Sequence, residues 1–333
     1  MPRINCFYTV LFGLLFYSKV ALSASFEPFV QMHVLPSHSN FEKSTEFLKA
    51  RAEVYCETYS ANDFMLLKVG FKNGLSAWQS VQHLRVGPGV ENSQWEKIYY
   101  WPDAEGEVLS QLTELMIGSD SWDGSDSTLD IAAEHPAIQG FSALEYLLYG
   151  GKTIGGKTCR LILLISHNIS GMAKELSVSW KRNDENDVFW LSPEFEGRLL
   201  EGLVAQLDFL VIEKLSLESS AKEASLSNSS NEVLKANVLA LQEAIKWLPE
   251  NEDNKDLLST LSEDLSKAST VLSEVAMPLE QAVTDEFQRQ KILLLKKKLI
   301  GVKRELRALF EKGFSESSLT IDRADQVEQS SRK

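Results

Sequence analysis

The chain has 333 residues, of which 44% are hydrophobic and 24% are charged, so its composition is that of a globular protein with room for two domains. Its formal net charge of −13 disfavours nucleic acid and anionic lipid as partners, because both are themselves negatively charged.

The amino-terminal residues have the layout of a secretory signal peptide. Arg3 supplies a positive charge, residues 6–17 are almost wholly apolar, and small residues precede a cleavage site near Ser23. An apolar run of this length is too short to cross a bilayer, which takes about 20 residues. We therefore expect residues 1–23 to be removed on export and no transmembrane segment to remain, with a buried amino-terminal helix as the alternative.

Apolar residues recur three and four positions apart along most of the chain, which is the period of a helix that buries one face. In the first half, this pattern predicts helices at about residues 44–59, 62–84, 105–117 and 136–150. Beyond a glycine-rich break at 150–156, it predicts longer helices at about residues 158–182, 193–218, 230–247 and 255–311, the last broken at Pro278. No stretch shows the sustained alternation of a strand.

Short connections between long helices are typical of antiparallel helical bundles. The sequence therefore predicts an all-α protein with two packed helical bundles. The glycine-rich break divides them, so that the first bundle covers residues 26–151, the second covers 152–315, and a polar tail covers 316–333.

Two cysteines, Cys56 and Cys159, remain after removal of the predicted signal peptide. An even pair in an oxidising compartment is a candidate disulfide, and closing a loop of about 100 residues constrains the unfolded chain by roughly 4–5 kcal/mol in the chain-entropy model. Two buried thiols are the alternative. The chain contains no Cys-x-x-Cys or His-x-x-x-His spacing that would predict a zinc site.

Residues 136–150 contain one ionisable acid, Glu145, in an otherwise nearly apolar helical pattern. A helix that is apolar almost all round is normally buried, and a lone buried carboxylate must be protonated, paired or bound to a cation. Ser142 lies three residues earlier on nearly the same face, and Gly140 would let another backbone or a ligand approach closely. Two interpretations stay open: a carboxylate that hydrogen-bonds across the core to an arginine such as Arg85 or Arg198, or a ligand or metal site.

Three segments resemble the imelysin family, which carries a Gly-x-His-x-x-Glu signature on a buried helix. The matching residues here are Gly140, Ser142 and Glu145, so a serine stands in the place of the family's histidine. The runs 75–88 and 99–103 also look like the family, as does Cys159 near the start of the next helix. The likeness is specific between residues 75 and 160 and consists of a compatible helical pattern beyond them.

The resemblance implies two packed helical bundles, export to the periplasm or the envelope, and an association with iron uptake, and the family was first described as proteolytic. The departure at Ser142 bears on its chemistry, because serine is a poor zinc ligand and the metallopeptidase motif His-Glu-x-x-His is absent. We therefore expect a non-catalytic periplasmic protein that is linked to uptake of iron or another divalent metal. It would act by binding a ligand, or an envelope or iron-uptake partner protein. A divergent metallopeptidase and a structural adaptor with a decayed site are the alternatives.

Glu145, Ser142 and Gly140 are the expected ligand-binding residues, with Glu145 as the one candidate metal ligand. Two basic residues complete the candidate site. If the helix starts at Pro136, His135 would lie two turns below Ser142 and replace the missing imidazole, and otherwise it is a solvated helix cap. Arg85 lies in the second family-like segment and is a candidate partner of Glu145.

Overall fold

The computed structural model describes residues 26–87, 94–117, 135–151, 154–186, 193–218 and 222–313. Every regular element in these ranges is helical and none is a strand, which confirms the all-α prediction. The predicted signal peptide and polar tail lie outside the described residues. No helix in the described part of the chain combines the length and apolar character that crossing a membrane requires.

The first group of helices is built on one long amino-terminal helix. It runs through α1 (Glu27–Phe29), a π-helical turn that we call π1 (Val30–Val34) and α2 (Leu35–Thr58). It ends where Tyr59 adopts a left-handed backbone conformation, with φ of 49°. The Ser60 hydroxyl then accepts a hydrogen bond from the Asp63 N–H at 3.0 Å, which caps the next helix. That helix is α3 (Ala61–Gln79), and it packs along α2.

Short elements follow α3 and form one end of this group. They are α4 (Gln94–Ile98), α5 (Glu107–Ile117), a 3₁₀ turn (Pro136–Ile138) and α6 (Phe141–Tyr149). The Asp103 carboxylate accepts hydrogen bonds from the backbone N–H groups of Glu107 and Val108, at 2.8 and 3.0 Å. This acid therefore caps the first turn of α5.

The second half of the chain has longer helices. They are α7 (Gly156–Asn186), α8 (Pro193–Phe209) with a π-helical turn π2 (Leu210–Lys214), α9 (Ser230–Lys246), α10 (Lys255–Ser273), α11 (Leu279–Ala282) and α12 (Glu286–Gly313). α9 packs on α10, α10 on α12, and α12 on α8, which forms a second bundle. The predicted interruption at Pro278 falls just before α11.

α7 departs from the expected division of the chain. It follows the predicted boundary near residue 152, yet it packs mainly along α2 in the first bundle. α9 also contacts α3, and buried apolar residues of both bundles form one continuous core. Loop composition marks where the chain turns, but the surface on which the next helix packs depends on side chains far away in sequence.

A disulfide between Cys56 and Cys159 joins α2 to α7, with Cα atoms 5.6 Å apart. It links the carboxyl end of α2 to the start of α7. The disulfide and the side-chain packing therefore hold the same two helices, α2 and α7, together.

Candidate functional site

The signature helix α6 is shorter than the sequence predicted. A start at Pro136 is wrong, because residues 136–138 form a separate 3₁₀ turn and the α-helix begins at Phe141. Gly140 precedes it in an extended conformation, with φ of −135° and ψ of −157°. A Cβ atom at Gly140 would collide with the backbone carbonyl oxygens of Lys97 and Ile98. The glycine therefore permits a close backbone contact at the amino-terminal end of α6.

Glu145 is buried, with 6% of its surface exposed. Its Oε1 atom accepts hydrogen bonds from the backbone N–H of Ser227 at 2.8 Å and from the Ser227 hydroxyl at 2.7 Å. No described residue donates a hydrogen bond to the second oxygen, Oε2. One side of the carboxyl group is thus fixed by the protein.

Burial raises the pKa of the Glu145 carboxyl above its ordinary value of 4.5. The two hydrogen bonds from Ser227 oppose this shift, since they stabilise the charged form. The negative charges of Glu223 and Glu280 add to it. The site therefore favours a group that brings positive charge or a hydrogen-bond donor to this carboxylate.

Ser142 lies in the same helix but makes a different contact. Its hydroxyl donates a hydrogen bond to the carbonyl oxygen of Tyr100 at 2.9 Å, and only 8% of the residue is exposed. The serine therefore ties α6 to the segment that precedes α5. Ser142 and Glu145 both line the same cleft.

The cleft beside Glu145 has a volume of about 410 Å³. Its lining residues are Tyr99, Tyr100, Trp101, Pro102, Asp103, Ala104, Val108, Ser142, Glu145, Tyr146, Glu213, Ser216, Glu218, Lys222, Ala224, Ser225 and Leu226. Several of these residues are aromatic, and among the described lining residues four acids accompany one lysine. The Lys222 ammonium donates to the carbonyl oxygens of Ser216 and Glu218, at 2.7 and 2.9 Å.

The donor atoms around this cleft do not fit a resident metal ion held by protein ligands alone. Across the described ranges, no three His, Cys, Asp or Glu side chains are grouped as a set of metal ligands. At the cleft, Oε1 of Glu145 is occupied by Ser227, and both oxygens of Asp103 accept backbone N–H groups. A metal ion here would need to bring most of its ligands with it.

Residues 222–229, which connect π2 to α9, form the turn that holds Ser227 against Glu145. Ala224 and Asn228 adopt left-handed conformations, with φ of 55° and 52°, which cost energy in residues other than glycine. The Ala224 N–H also donates a hydrogen bond to the Tyr99 hydroxyl at 3.2 Å. Side-chain contacts on both sides of the turn thus maintain its conformation.

A buried polar network around Lys214 contacts the same turn through Glu223. The Lys214 ammonium pairs with the Glu223 carboxylate at 2.7 Å and donates to the side-chain oxygens of Gln79, Gln82 and Asn237, at 2.7, 3.1 and 2.5 Å. Burial lowers the pKa of Lys214, and the charge of Glu223 opposes that shift. The network joins π2, α3 and α9. The sequence pattern did not predict this network, although Lys214 lies just after an apolar run at the end of a helical pattern.

Two histidines form another buried pair near the junction of the bundles. His33 in π1 and His83 after α3 have their Nε2 atoms 2.7 Å apart. Burial lowers the pKa of His33 to about 4 and that of His83 well below 6.5. One neutral ring therefore donates its proton to the other, and the pair is uncharged at neutral pH.

The remaining predicted site residues lie in other settings. His135 precedes the 3₁₀ turn. Because the helix is interrupted between this turn and α6, His135 does not have the helical spacing that would place it two turns below Ser142. The Arg85 guanidinium lies over the Phe209 ring, 5.9 Å from its centre. The hydrogen bonds that we considered for Arg85 or Arg198 come to Glu145 from Ser227 instead, and a part for His135 or Arg85 in ligand binding stays a prediction.

Comparison with known proteins agrees with this architecture. An imelysin-like protein from Psychrobacter arcticum shares the fold with a TM-score of 0.75 and 18% identity, over 86% of this chain and 92% of its own. A protein named iron-regulated protein A precursor, from Parabacteroides distasonis, has a TM-score of 0.66 and 13% identity, over 86% of this chain and 94% of its own. No curated protein matches the sequence.

The family model described as Imelysin matches residues 34–306. This range spans α2 to α12 and includes the Glu145 cleft. On that match, the chain belongs to the imelysin family.

Proposed function

We propose that this chain is an exported, non-catalytic binding protein of the cell envelope, and that its Glu145 cleft binds a ligand during the acquisition of iron or another metal. The observation that carries the proposal is the burial and fixed orientation of the Glu145 carboxyl group. It is buried in the wall of a cleft of about 410 Å³, with one oxygen held by Ser227.

The size and lining of the cleft support ligand binding. Small-molecule sites commonly have volumes of roughly 300–1,000 Å³ and combine an apolar lining with a few fixed polar groups. Here Tyr100, Trp101 and Tyr146 supply the aromatic surface, and Glu145 supplies a fixed acceptor. A carboxylate that is already oriented loses little conformational freedom when a ligand binds.

The connection to metals has a different basis. Membership of the imelysin family and the name of the Parabacteroides protein support an iron-related setting. Because the described residues around Glu145 offer too few ligands for a bare ion, the metal would enter as a complex that keeps ligands of its own. Glu145 would then accept a hydrogen bond from that complex or complete its coordination.

Thermal unfolding with and without metals tests this proposal. The purified protein is unfolded in metal-free buffer and with ferrous, ferric, zinc or copper ions, each as the aqueous ion and as the citrate complex. A ligand present at 100 times its dissociation constant should add about 2.7 kcal/mol to the free energy of unfolding.

Two variants give the control. Glu145→Gln keeps the side-chain shape and should abolish the stabilisation, whereas Glu250→Gln changes an exposed acid and should leave it intact. Equal stabilisation of both variants would place binding elsewhere and contradict the proposal. Metal-dependent cleavage of a peptide substrate, lost in Glu145→Gln, would favour the metallopeptidase alternative.

A further inference from the structure

A second cavity adjoins the Glu145 cleft. It has a volume of about 270 Å³, and its lining residues are Leu109, Leu112, Met116, Tyr146, Leu147, Gly150, Thr158 and Leu226. Apart from the Tyr146 and Thr158 hydroxyls, these side chains are apolar. Tyr146 and Leu226 line both spaces, so the cavity and the cleft are neighbours.

The shared wall contains a side chain that can move. Leu226 is 39% exposed, and it lies in the turn that carries Ser227. Exposed side chains change rotamer on picosecond to nanosecond timescales. A change of the Leu226 rotamer would therefore alter the wall that the two spaces share.

The two spaces differ in charge. Asp103, Glu145, Glu213 and Glu218 line the cleft, and Lys222, which also lines it, already donates to two backbone carbonyl oxygens. The Glu280 carboxylate also lies close enough to Glu145 to raise the pKa of its carboxyl group, whereas the Glu223 carboxylate is paired with the Lys214 ammonium. Among the described residues, the cleft thus has an excess of negative charge, while none that lines the cavity is charged.

We propose that the cleft and the cavity together bind one amphipathic organic cation. Its protonated amine donates a hydrogen bond to Oε2 of Glu145, and its apolar part lies against Leu109, Met116 and Leu226. This inference goes beyond the proposed function, because it uses the same Glu145 cleft but names a class of ligand that carries no metal. The amine supplies positive charge where carboxylates cluster, and the apolar part removes an exposed leucine from water.

Calorimetric titration with butylamine, hexylamine and octylamine at pH 7.5 tests the proposal. Burial of one methylene group contributes about 0.8 kcal/mol, so affinity should rise about fourfold for each added methylene. Octanoate has the same chain with the opposite charge, and it should bind at least tenfold more weakly than octylamine. Glu145→Gln should weaken octylamine binding at least tenfold.

Exposed leucines provide matched variants for the apolar part. Leu109→Gln and Leu226→Gln should each reduce the gain in affinity from butylamine to octylamine. Leu239→Gln should not, because Leu239 lines neither space although its 45% exposure matches the 44% of Leu109. All three positions are exposed, so the fold should tolerate the changes.

The outcomes separate this inference from the proposed function. Equal affinities for the three amines, or equal affinities for octylamine and octanoate, would overturn the inference and leave the metal experiment to decide the function. Binding that responds to neither the Glu145 nor the leucine variants would also overturn it, because the amine would then occupy another surface. No measurable binding of octylamine at millimolar concentration would overturn it as well.

Discussion

Ser227 and Glu145 are 82 residues apart in sequence, and Ser227 donates both its backbone N–H and its hydroxyl to one oxygen of the Glu145 carboxyl group. The contact joins the signature helix of the first bundle to the turn before α9 in the second bundle. It orients the carboxyl group and leaves its other oxygen without a donor among the described residues. The geometry of the cleft therefore depends on this turn as much as on α6.

Replacement of Ser227 by alanine should remove one of the two hydrogen bonds. Hydrogen bonds to charged groups contribute about 1.5–3 kcal/mol, so we expect a loss of that order in the free energy of unfolding, measured with urea at pH 8. Ser225→Ala, in the same turn, is the control and should cost less. Equal losses in the two variants would show that the Ser227 hydroxyl has no special part in stability.

The Glu145 carboxyl group should make stability depend on pH. Its pKa is raised on folding, so the folded protein binds this proton more tightly than the unfolded chain does. Its contribution is complete below the unfolded pKa of about 4.5 and is lost as pH rises through the folded pKa. Glu145→Gln should therefore gain stability relative to wild type between pH 4.5 and 8 in urea unfolding. A difference that stays constant over this range would contradict the shift.

Two buried histidines, His33 in π1 and His38 in α2, should give the opposite dependence. Burial lowers the pKa of His33 and His38 from 6.5 to about 4, so the unfolded chain binds protons that the folded protein excludes. Their contribution is present above pH 6.5 and is lost as pH falls towards 4, at about 3 kcal/mol for each ring. His38→Phe should flatten the acid limb of the stability profile. An unchanged acid limb would mean that His38 titrates normally.

Gly140→Ala should be strongly destabilising, because the added Cβ collides with two backbone carbonyl oxygens that cannot rotate away. Overpacking of this kind costs about 1–3 kcal/mol or more. Gly171→Ala in α7 meets open space and replaces a helical glycine, so it should stabilise by about 0.5–1 kcal/mol. Thermal unfolding of the two variants gives the comparison, and similar melting temperatures would contradict the close approach at Gly140.

Lys214→Met should leave Glu223 buried without its partner, and breaking such a pair costs about 3–5 kcal/mol. Adding Glu223→Gln to Lys214→Met removes the second charge and should recover part of the loss. Lys255→Met breaks an exposed pair with Glu252 and should change stability little. A double variant no more stable than Lys214→Met would argue against an ion pair at this position.

The sequence predicted the helical class, most helix positions and the burial of Glu145, because all three follow from local apolar spacing. It predicted the wrong start for α6. This helix begins just after Gly140, which lies against the carbonyl oxygens of Lys97 and Ile98, a contact that local apolar spacing does not encode. It did not identify Ser227 as the partner of Glu145. A serine in a polar loop carries no signal of the carboxylate that it will contact 82 residues away.

The Lys214 network was missed for a related reason. A lysine at the end of a helical pattern usually points to solvent, and burial becomes favourable only when Gln79, Asn237 and Glu223 converge on it from three other elements. The assignment of α7 to the second bundle failed in the same way. Periodicity predicts which face of a helix is buried, and the partner of that face is set by the tertiary fold.

Thermal unfolding of wild type and Glu145→Gln, with and without each metal ion and its citrate complex, tests the central claim most directly. A binding site at the Glu145 cleft predicts a metal-specific rise in the wild-type unfolding temperature that is absent in Glu145→Gln and retained in Glu250→Gln. The absence of any rise in wild type, or a rise of equal size in Glu145→Gln, would contradict it and leave Glu145 as a structural carboxylate that joins the two bundles.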